Sequence, residues 1–259
     1  MRTGSPPAVP DTIVVSRHDE RIRVDRISWD EFAERYDRQF LEDPLYRDCL
    51  RLIVEQVEAS DAHIMDLGCG TGGVTGQLLR KLPEAVITGV DPSSGMREVY
   101  AQRFEADPRI EVIEGSAVEI PAPDAAFDYV VSNLALHHVT HEHREACARE
   151  IARVLKPGGK LVYCDHFLDV EGPTRDKARC RDAIEKTVGW ALYSLEAGAY
   201  DHALGLLRVL PLVVTENGEY LTTVEEWSRL LAQAGMGDFR IVEVPPTECG
   251  MKIVCAARA

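Results

Sequence analysis

Apolar positions run along this chain in short dense blocks separated by longer amphipathic stretches. The blocks at 62–67, 85–90, 110–114, 127–132 and 160–166 read as buried parallel strands; the second, Ala85-Val-Ile-Thr-Gly-Val90, is rich in β-branched residues and too short for a helix. The intervening stretches 74–82, 94–106 and 142–155 read as helices. Strand and helix in alternation predict a parallel sheet with right-handed crossovers. Pro157-Gly158-Gly159 terminates the helix before it and feeds the next strand. Upstream, Ser28 reads as an N-cap with Glu31 completing a capping box, which predicts a helix through Phe40 and then a second from Pro44 to Ala59. Thr12 to Val15 and Arg21 to Ile27 flank a polar turn and predict a small hairpin. Residues 1–10 are expected to be disordered.

Past residue 172 the pattern becomes helical. Between Gly172 and Leu210, Ile184, Val188, Ala191 and Leu195 recur at three- and four-residue steps and predict one apolar face. Thr223-Val-Glu-Glu-Trp opens a last helix, and Phe239 to Val244 with Met251 to Ala256 predict an antiparallel hairpin. The chain thus divides into an N-terminal extension (1–27), a core (28–171), a helical insertion (172–215) and a segment that completes the core (216–259).

At 259 residues the length suits one α/β domain with a modest extra element. The 45% apolar and 28% charged content is that of a soluble globular protein. A formal net charge of −14 argues against nucleic acid and anionic membrane surfaces as partners, since phosphate backbones are held by clustered Lys and Arg. The Pro/Ser/Gly-rich start has no apolar core of a signal peptide, and no apolar run approaches the ~20 residues that span a bilayer. Seven irregularly spaced cysteines fit a reduced, cytoplasmic protein, with Cys164 and Cys255 as small core residues.

The chemistry concentrates at His63-Ile-Met-Asp-Leu-Gly-Cys-Gly-Thr-Gly-Gly73. A strand, a glycine turn and a helix in that order bring bare backbone up to a nucleotide-like ligand. Gly68, Gly70 and Gly73 satisfy the spacing of the dinucleotide fingerprint, yet Asp66 opposes a pyrophosphate, which wants open N–H groups and a positive helix end. A ligand with an ammonium and a sulfonium, such as S-adenosylmethionine, is favoured beside Asp66. Asp91 ends the next strand about 20 residues on, where a carboxylate takes both hydroxyls of a ribose.

Asp66-Leu-Gly-Cys-Gly-Thr-Gly72, Gly89-Val-Asp91-Pro-Ser-Ser-Gly-Met96, Phe127-Asp-Tyr-Val-Val-Ser-Asn133 and Val154-Leu-Lys-Pro-Gly-Gly-Lys160 resemble, in order and spacing, the motifs of class I S-adenosylmethionine-dependent methyltransferases. The match is to their small-molecule group. The resemblance covers roughly residues 30–165 well and the rest more loosely. It implies a Rossmann-like, doubly wound, mostly parallel sheet of seven strands with the last inserted antiparallel, a helical lid at 172–210, and methyl transfer from S-adenosylmethionine to a small acceptor through O, N, S or activated C. It further implies cofactor contacts from Tyr36, Asp66, Gly68, Cys69, Gly70, Gly72, Asp91, Pro92, Met96, Ser116, Ala117 and Asn133. Ser116 stands where the family has aspartate, so Ser116 Oγ or the Ala117 backbone must take over the contact to the adenine amino group. A protein that binds the cofactor without transfer (a cyclase or a binding module) and a nicotinamide-dependent oxidoreductase remain as rivals.

Asn133 to His138 follow the fourth strand at the sheet's carboxyl edge, where open α/β folds bind ligands. His137 and His138 are candidates for a general base, with His166 after Asp165 as the alternative. Two adjacent histidines on a turn point apart, so at most one of them acts. His137, His138, His141 and His143 could crowd around a metal, but no Cys or carboxylate accompanies them at ligand spacing, so no metal is expected.

Overall fold

The computed structural model describes residues 28–259, so the hairpin expected within 12–27, and the extension that carries it, lie outside the described residues. The sheet is built from β1 (His63–Leu67), β2 (Val86–Asp91), β3 (Ile110–Glu114), β4 (Phe127–Asn133), β5 (Leu155–Leu168), β6 (Thr222–Thr223), β7 (Met236–Glu243) and β8 (Met251–Arg258). Seven of these run in the order β3-β2-β1-β4-β5-β8-β7, and the two-residue β6 pairs separately with β5. The first five are mutually parallel, and β8 is antiparallel to both neighbours, as the sequence implied. The order reverses at β1, next to β4, which is where ligands bind in such sheets. Register sets Asp66 beside Gly89 and Val131, Asp91 beside Glu114, and Asn133 beside Cys164, so four carboxyl-end side chains emerge along one edge.

Both faces of the central strands are covered, which is why β1 and β4 are buried almost throughout, while the edge strands β3 and β7 carry exposed polar residues. On one face Ile64, Ile87, Val131 and Val162 pack with Leu45, Leu50, Ile53 and Leu78 from α2 (Pro44–Glu55) and α3 (Gly73–Lys81). On the other Met65, Val130, Leu161 and Val254 pack with Ile151 and Trp227 from α5 (Arg144–Val154) and α8 (Val224–Gln233). α4 (Ser94–Phe104) starts at the carboxyl end of β2 and crosses back to β3, α1 (Trp29–Leu41) packs against it, and α6 (Lys177–Glu196) with α7 (Tyr200–Thr215) form the helical insertion.

Three expectations are corrected. Ser28 caps α1 in position only, with no side-chain hydrogen bond, so the capping box does not form. The second helix stops at Glu55, four residues short, where Gln56 turns back on the Ile53 and Val54 carbonyls. The face of α6 chosen from its spacing is only partly the buried one: Ala191 is buried and Val188 half-buried, but Ile184 and Leu195 are exposed, and Ala183, Thr187, Trp190 and Ser194 turn inward in their place. Cys164 is fully buried as expected, whereas Cys255 is half-buried. No helix among the described residues is long and apolar enough to cross a membrane.

Candidate active site

The turn after β1 is left-handed at all three expected glycines, with φ of +72° at Gly68, +51° at Gly70 and +85° at Gly72, a conformation that any side chain would strain. The space around them differs. A Cβ on Gly68 would fall 2.3 Å from the Ala135 methyl, and one on Gly72 2.4 Å from the Phe104 ring, so protein packing alone demands glycine at both. A Cβ on Gly70 would meet only Met96 Sδ, at 3.9 Å. Gly68 and Gly70 line a cavity of about 320 Å³, whereas Gly72 starts α3 and does not line it.

The same cavity is lined by Tyr36, Asp91, Pro92, Met96, Ser116, Ala117 and Asn133. Asp91 Oδ2 accepts from Gly70 N and Oδ1 from Ser93 N, both at 2.9 Å; burial raises its pKa against the pull of these donors. Each carboxylate oxygen keeps a free lone pair for a diol. Behind the turn lies a recess of about 20 Å³, lined by Tyr36, Asp66, Cys69, Gly70 and Asn133, enough for one water-sized group. Asp66 is buried there and accepts from Thr75 N at 3.2 Å and Thr75 Oγ1 at 2.7 Å. Desolvation raises its pKa to about 7 despite both bonds. Asn133 Oδ1 is buried with no hydrogen-bond partner. A buried carboxylate and an orphaned carbonyl oxygen beside a left-handed glycine turn match an ammonium group, and Asp91 matches a ribose, so this cavity fits S-adenosylmethionine.

α1 lies over this cavity and is tied down at two points. Asp30 Oδ1 accepts from Ser93 Oγ at 2.6 Å and Gly95 N at 2.9 Å, and a Cβ on Gly95 would collide with the Asp30 backbone. About two turns later Asp37 accepts from Thr71 Oγ1 and pairs with Arg103 at 2.9 Å. Tyr36 and Trp29 thereby line this cavity and a second of about 360 Å³.

His138 and Leu134 also belong to both cavities. His137 is clamped: Nδ1 meets Asp165 Oδ1 at 2.5 Å and Nε2 meets Glu219 Oε2 at 3.1 Å. Burial opposes its charge, but the two carboxylates prevail and raise its pKa to about 10. His138 Nδ1 lies 2.8 Å from the Gly218 carbonyl, which can only accept, so Nδ1 carries the proton and Nε2 the lone pair. Burial and the neighbouring His137 charge lower its pKa. His166 lines the second cavity, and burial lowers its pKa to about 4. His141 is turned away to Glu216, and His143 lines the edge of the first cavity with its Nδ1 on Thr140, both at 2.7 Å. The expectation that the histidines lack a carboxylate is corrected: His137, His138 and Glu219 place ligand atoms within 4.8 Å of one another, and Glu219 lay too far along the chain for spacing to find. Two of those atoms already bond within the protein, His137 Nε2 to Glu219 and His138 Nδ1 to Gly218.

Sequence reasoning also missed Trp29, Thr187 and His202, all lining the second cavity. Trp29 left a signal, because Trp29, Phe32, Tyr36 and Phe40 repeat at helical spacing and their rings meet edge to edge or stacked. Thr187 and His202 left none.

Residues 64–159 match the model of a methyltransferase domain. An uncharacterized methyltransferase of Geobacillus kaustophilus is 27% identical over 80% of this chain and 86% of its own length. Among solved structures, a Thermotoga maritima S-adenosylmethionine-dependent methyltransferase described as a possible histamine N-methyltransferase aligns over 89% of this chain and 98% of its own (TM-score 0.60, 19% identity). Human N-acetylserotonin methyltransferase, solved with S-adenosylmethionine, aligns over 89% of this chain and 56% of its own (TM-score 0.59, 19% identity). At these identities the two structures speak to the fold alone.

Proposed function

Because this chain belongs to the class I S-adenosylmethionine-dependent methyltransferases, we propose that it methylates a small molecule held in the second cavity, with His138 as general base. The observation that carries this reading is the position of His138 in the wall common to both cavities, its Nδ1–H committed to Gly218 and its Nε2 left with a lone pair. When bound, S-adenosylmethionine supplies a methyl group already activated on a sulfonium. What remains for the protein is alignment, exclusion of water and removal of the acceptor's proton.

Each part has a residue. Gly68 and Gly70 admit the donor, Asp66 and Asn133 face its ammonium, Asp91 its ribose, and Met96, Ser116 and Ala117 its base. Nε2 of His138 takes the acceptor proton, and the Glu219 carboxylate 3.9 Å from its Nδ1 stabilises the imidazolium that forms. His137 is unsuited to this work, since it holds its proton up to about pH 10. The layout proposed is a core at 28–171 and 216–259 with an insertion at 172–215. Free cysteines support a cytoplasmic location, and the charge of −14 supports a small acceptor over nucleic acid.

The test is methyl transfer from labelled S-adenosylmethionine by His138→Ala and His138→Gln. Turnover should fall by about 10²–10⁴ with S-adenosylhomocysteine binding unchanged. Because the His138 pKa is lowered, the ascending limb of the wild-type pH–rate profile should lie below the ordinary imidazole value of 6.5 and vanish in both variants. Turnover within about twofold of wild type in both would remove the base from the mechanism.

A further inference from the structure

The second cavity is walled by rings yet holds buried polar atoms that the protein leaves unpaired. Trp29, Phe40 and Trp190 line it, and its volume of about 360 Å³ falls at the low end of small-molecule sites, which run from about 300 to 1,000 Å³. Into this apolar frame come His166, Thr187 and His202, exposed by only 6%, 1% and 1%. His166 Nε2, Thr187 Oγ1 and both ring nitrogens of His202 have no hydrogen-bond partner. Asp43, the acid nearest His202, stays 3.8 Å from its Nε2 and already accepts from Tyr46 N, Trp190 Nε1 and Ser194 Oγ. Trp190 ties the set together, its ring 5.8 Å from that of His166 and 5.0 Å from that of His202.

Buried polar groups in native proteins find partners, in the protein or in what it binds, and leaving one unpaired is costly. Three such groups around one cavity describe a ligand's polar pattern. We infer that the acceptor is an aromatic molecule of one or two rings bearing, beyond the group that is methylated, at least one further neutral hydrogen-bonding group (a hydroxyl, an amine or a ring nitrogen), and that Thr187, His202 and His166 select it. This inference rests on the reading of the second cavity as the acceptor site. Aromatic walls favour a flat π-system with its edges and faces engaged. Burial lowers the pKa of both His166 and His202, so the pair offers neutral donors and acceptors, and the cations that also line the cavity, Arg35 and Arg208, are exposed to water, which screens their pull on a carboxylate or phosphate. Thr187 donates or accepts as required.

The experiment titrates the full-length protein loaded with S-adenosylhomocysteine with matched pairs, catechol against phenol and naphthalenediol against naphthol, beside cyclohexanediol and salicylate. The second hydroxyl should tighten binding roughly 10- to 100-fold, the cost of leaving a buried group unpaired. Cyclohexanediol and salicylate should bind more weakly than catechol. Thr187→Val combined with His202→Phe should cut the preference to less than about threefold without moving S-adenosylhomocysteine affinity, while Thr187→Ser alone should keep it. Equal affinity within each pair, a preference that survives in the double variant, or tighter binding of cyclohexanediol or salicylate would overturn the inference. Labelled methyl transfer to the same panel separates it from the parent reading. Selective binding without transfer sinks methyl transfer and leaves the ligand class standing; transfer without selectivity does the reverse. Neither binding nor transfer across the panel overturns both.

Discussion

His137 is held by carboxylates on both ring nitrogens, whereas Asp91 accepts one backbone bond on each oxygen and keeps capacity for a ligand, so removing them should have different consequences. His137 sits between Asp165 and Glu219, whose pKa values are both lowered although burial alone would raise them. Its own pKa, raised from 6.5 to about 10, makes a stabilising contribution that is complete below pH 6.5 and lost as pH climbs through about 10. The two depressed carboxylates contribute above their ordinary values and lose that contribution in acid. His137→Gln leaves two buried carboxylates without their cation and should cost roughly 3–5 kcal/mol in urea unfolding at neutral pH. The difference between wild type and variant should shrink from pH 8 to pH 10; a difference flat over that interval would show that His137 is not charged. Asp91 instead faces the cavity. Asp91→Ala should weaken S-adenosylhomocysteine by roughly 1.5–3 kcal/mol through the lost ribose contact, and calorimetry checks it. Asp91→Asn keeps an acceptor for only one of Gly70 N and Ser93 N and should fall between.

At the scale of elements, the sequence told most where one element is defined by its own period. The five core strands and the helices between them were legible because four of the strands are buried over most of their length and the glycine and proline breaks are local. The inward face of α6 was not. It presents Thr187 and Ser194 beside Trp190, since part of it borders a polar-dotted cavity, while Ile184 and Leu195 complete the apolar spacing on the outside. The capping box failed for a related reason: the first turn of α1 is fixed from outside, by the bonds its Asp30 accepts from the start of α4. That tether has its own test. Asp30→Ala removes the acceptor for Ser93 Oγ, Ser94 Oγ and Gly95 N, and Asp37→Ala frees Thr71 and Arg103. Together they remove five hydrogen bonds and should speed S-adenosylhomocysteine dissociation by about tenfold or more, only a part of what five such bonds are worth because these partly exposed groups rebond to water, with circular dichroism unchanged. On the insertion, Leu206→Trp fills the second cavity from α7 and should raise the acceptor KM while leaving S-adenosylhomocysteine affinity intact. Deleting 172–215 is the weaker probe, because Trp190 and Leu206 belong to the main core.

Over the whole molecule, the ligand side of the sheet was readable because Asp66, the glycine turn, Asp91 and Asn133 are placed by strand ends that the sequence marks. The second cavity was not, because Glu219, Thr187 and His202 arrive from elements remote in the chain, and only packing brings them to the cavity that His137 and His138 line. Asp66 is buried in a chain of net charge −14, and desolvation holds its pKa near 7. Its folded value exceeds the ordinary 3.8, so its effect on stability is favourable below that value and is lost as pH rises through about 7. A bound ammonium reverses the balance, since it favours the ionised carboxylate that the empty fold disfavours. S-adenosylhomocysteine should therefore bind more tightly, and protect against thermal unfolding more strongly, as pH rises from about 6 to about 7.5. Binding at a hundredfold excess over Kd is worth about 2.7 kcal/mol of stability, ample to resolve by melting curves. In Asp66→Asn the affinity should drop and its pH dependence over this range should flatten. A nicotinamide dinucleotide brings two phosphates toward the same carboxylate and should shift neither protein at any of these pH values. Protection by the dinucleotide, or a pH slope that persists in Asp66→Asn, would mean that Asp66 is not the residue that reads the cofactor's positive charge.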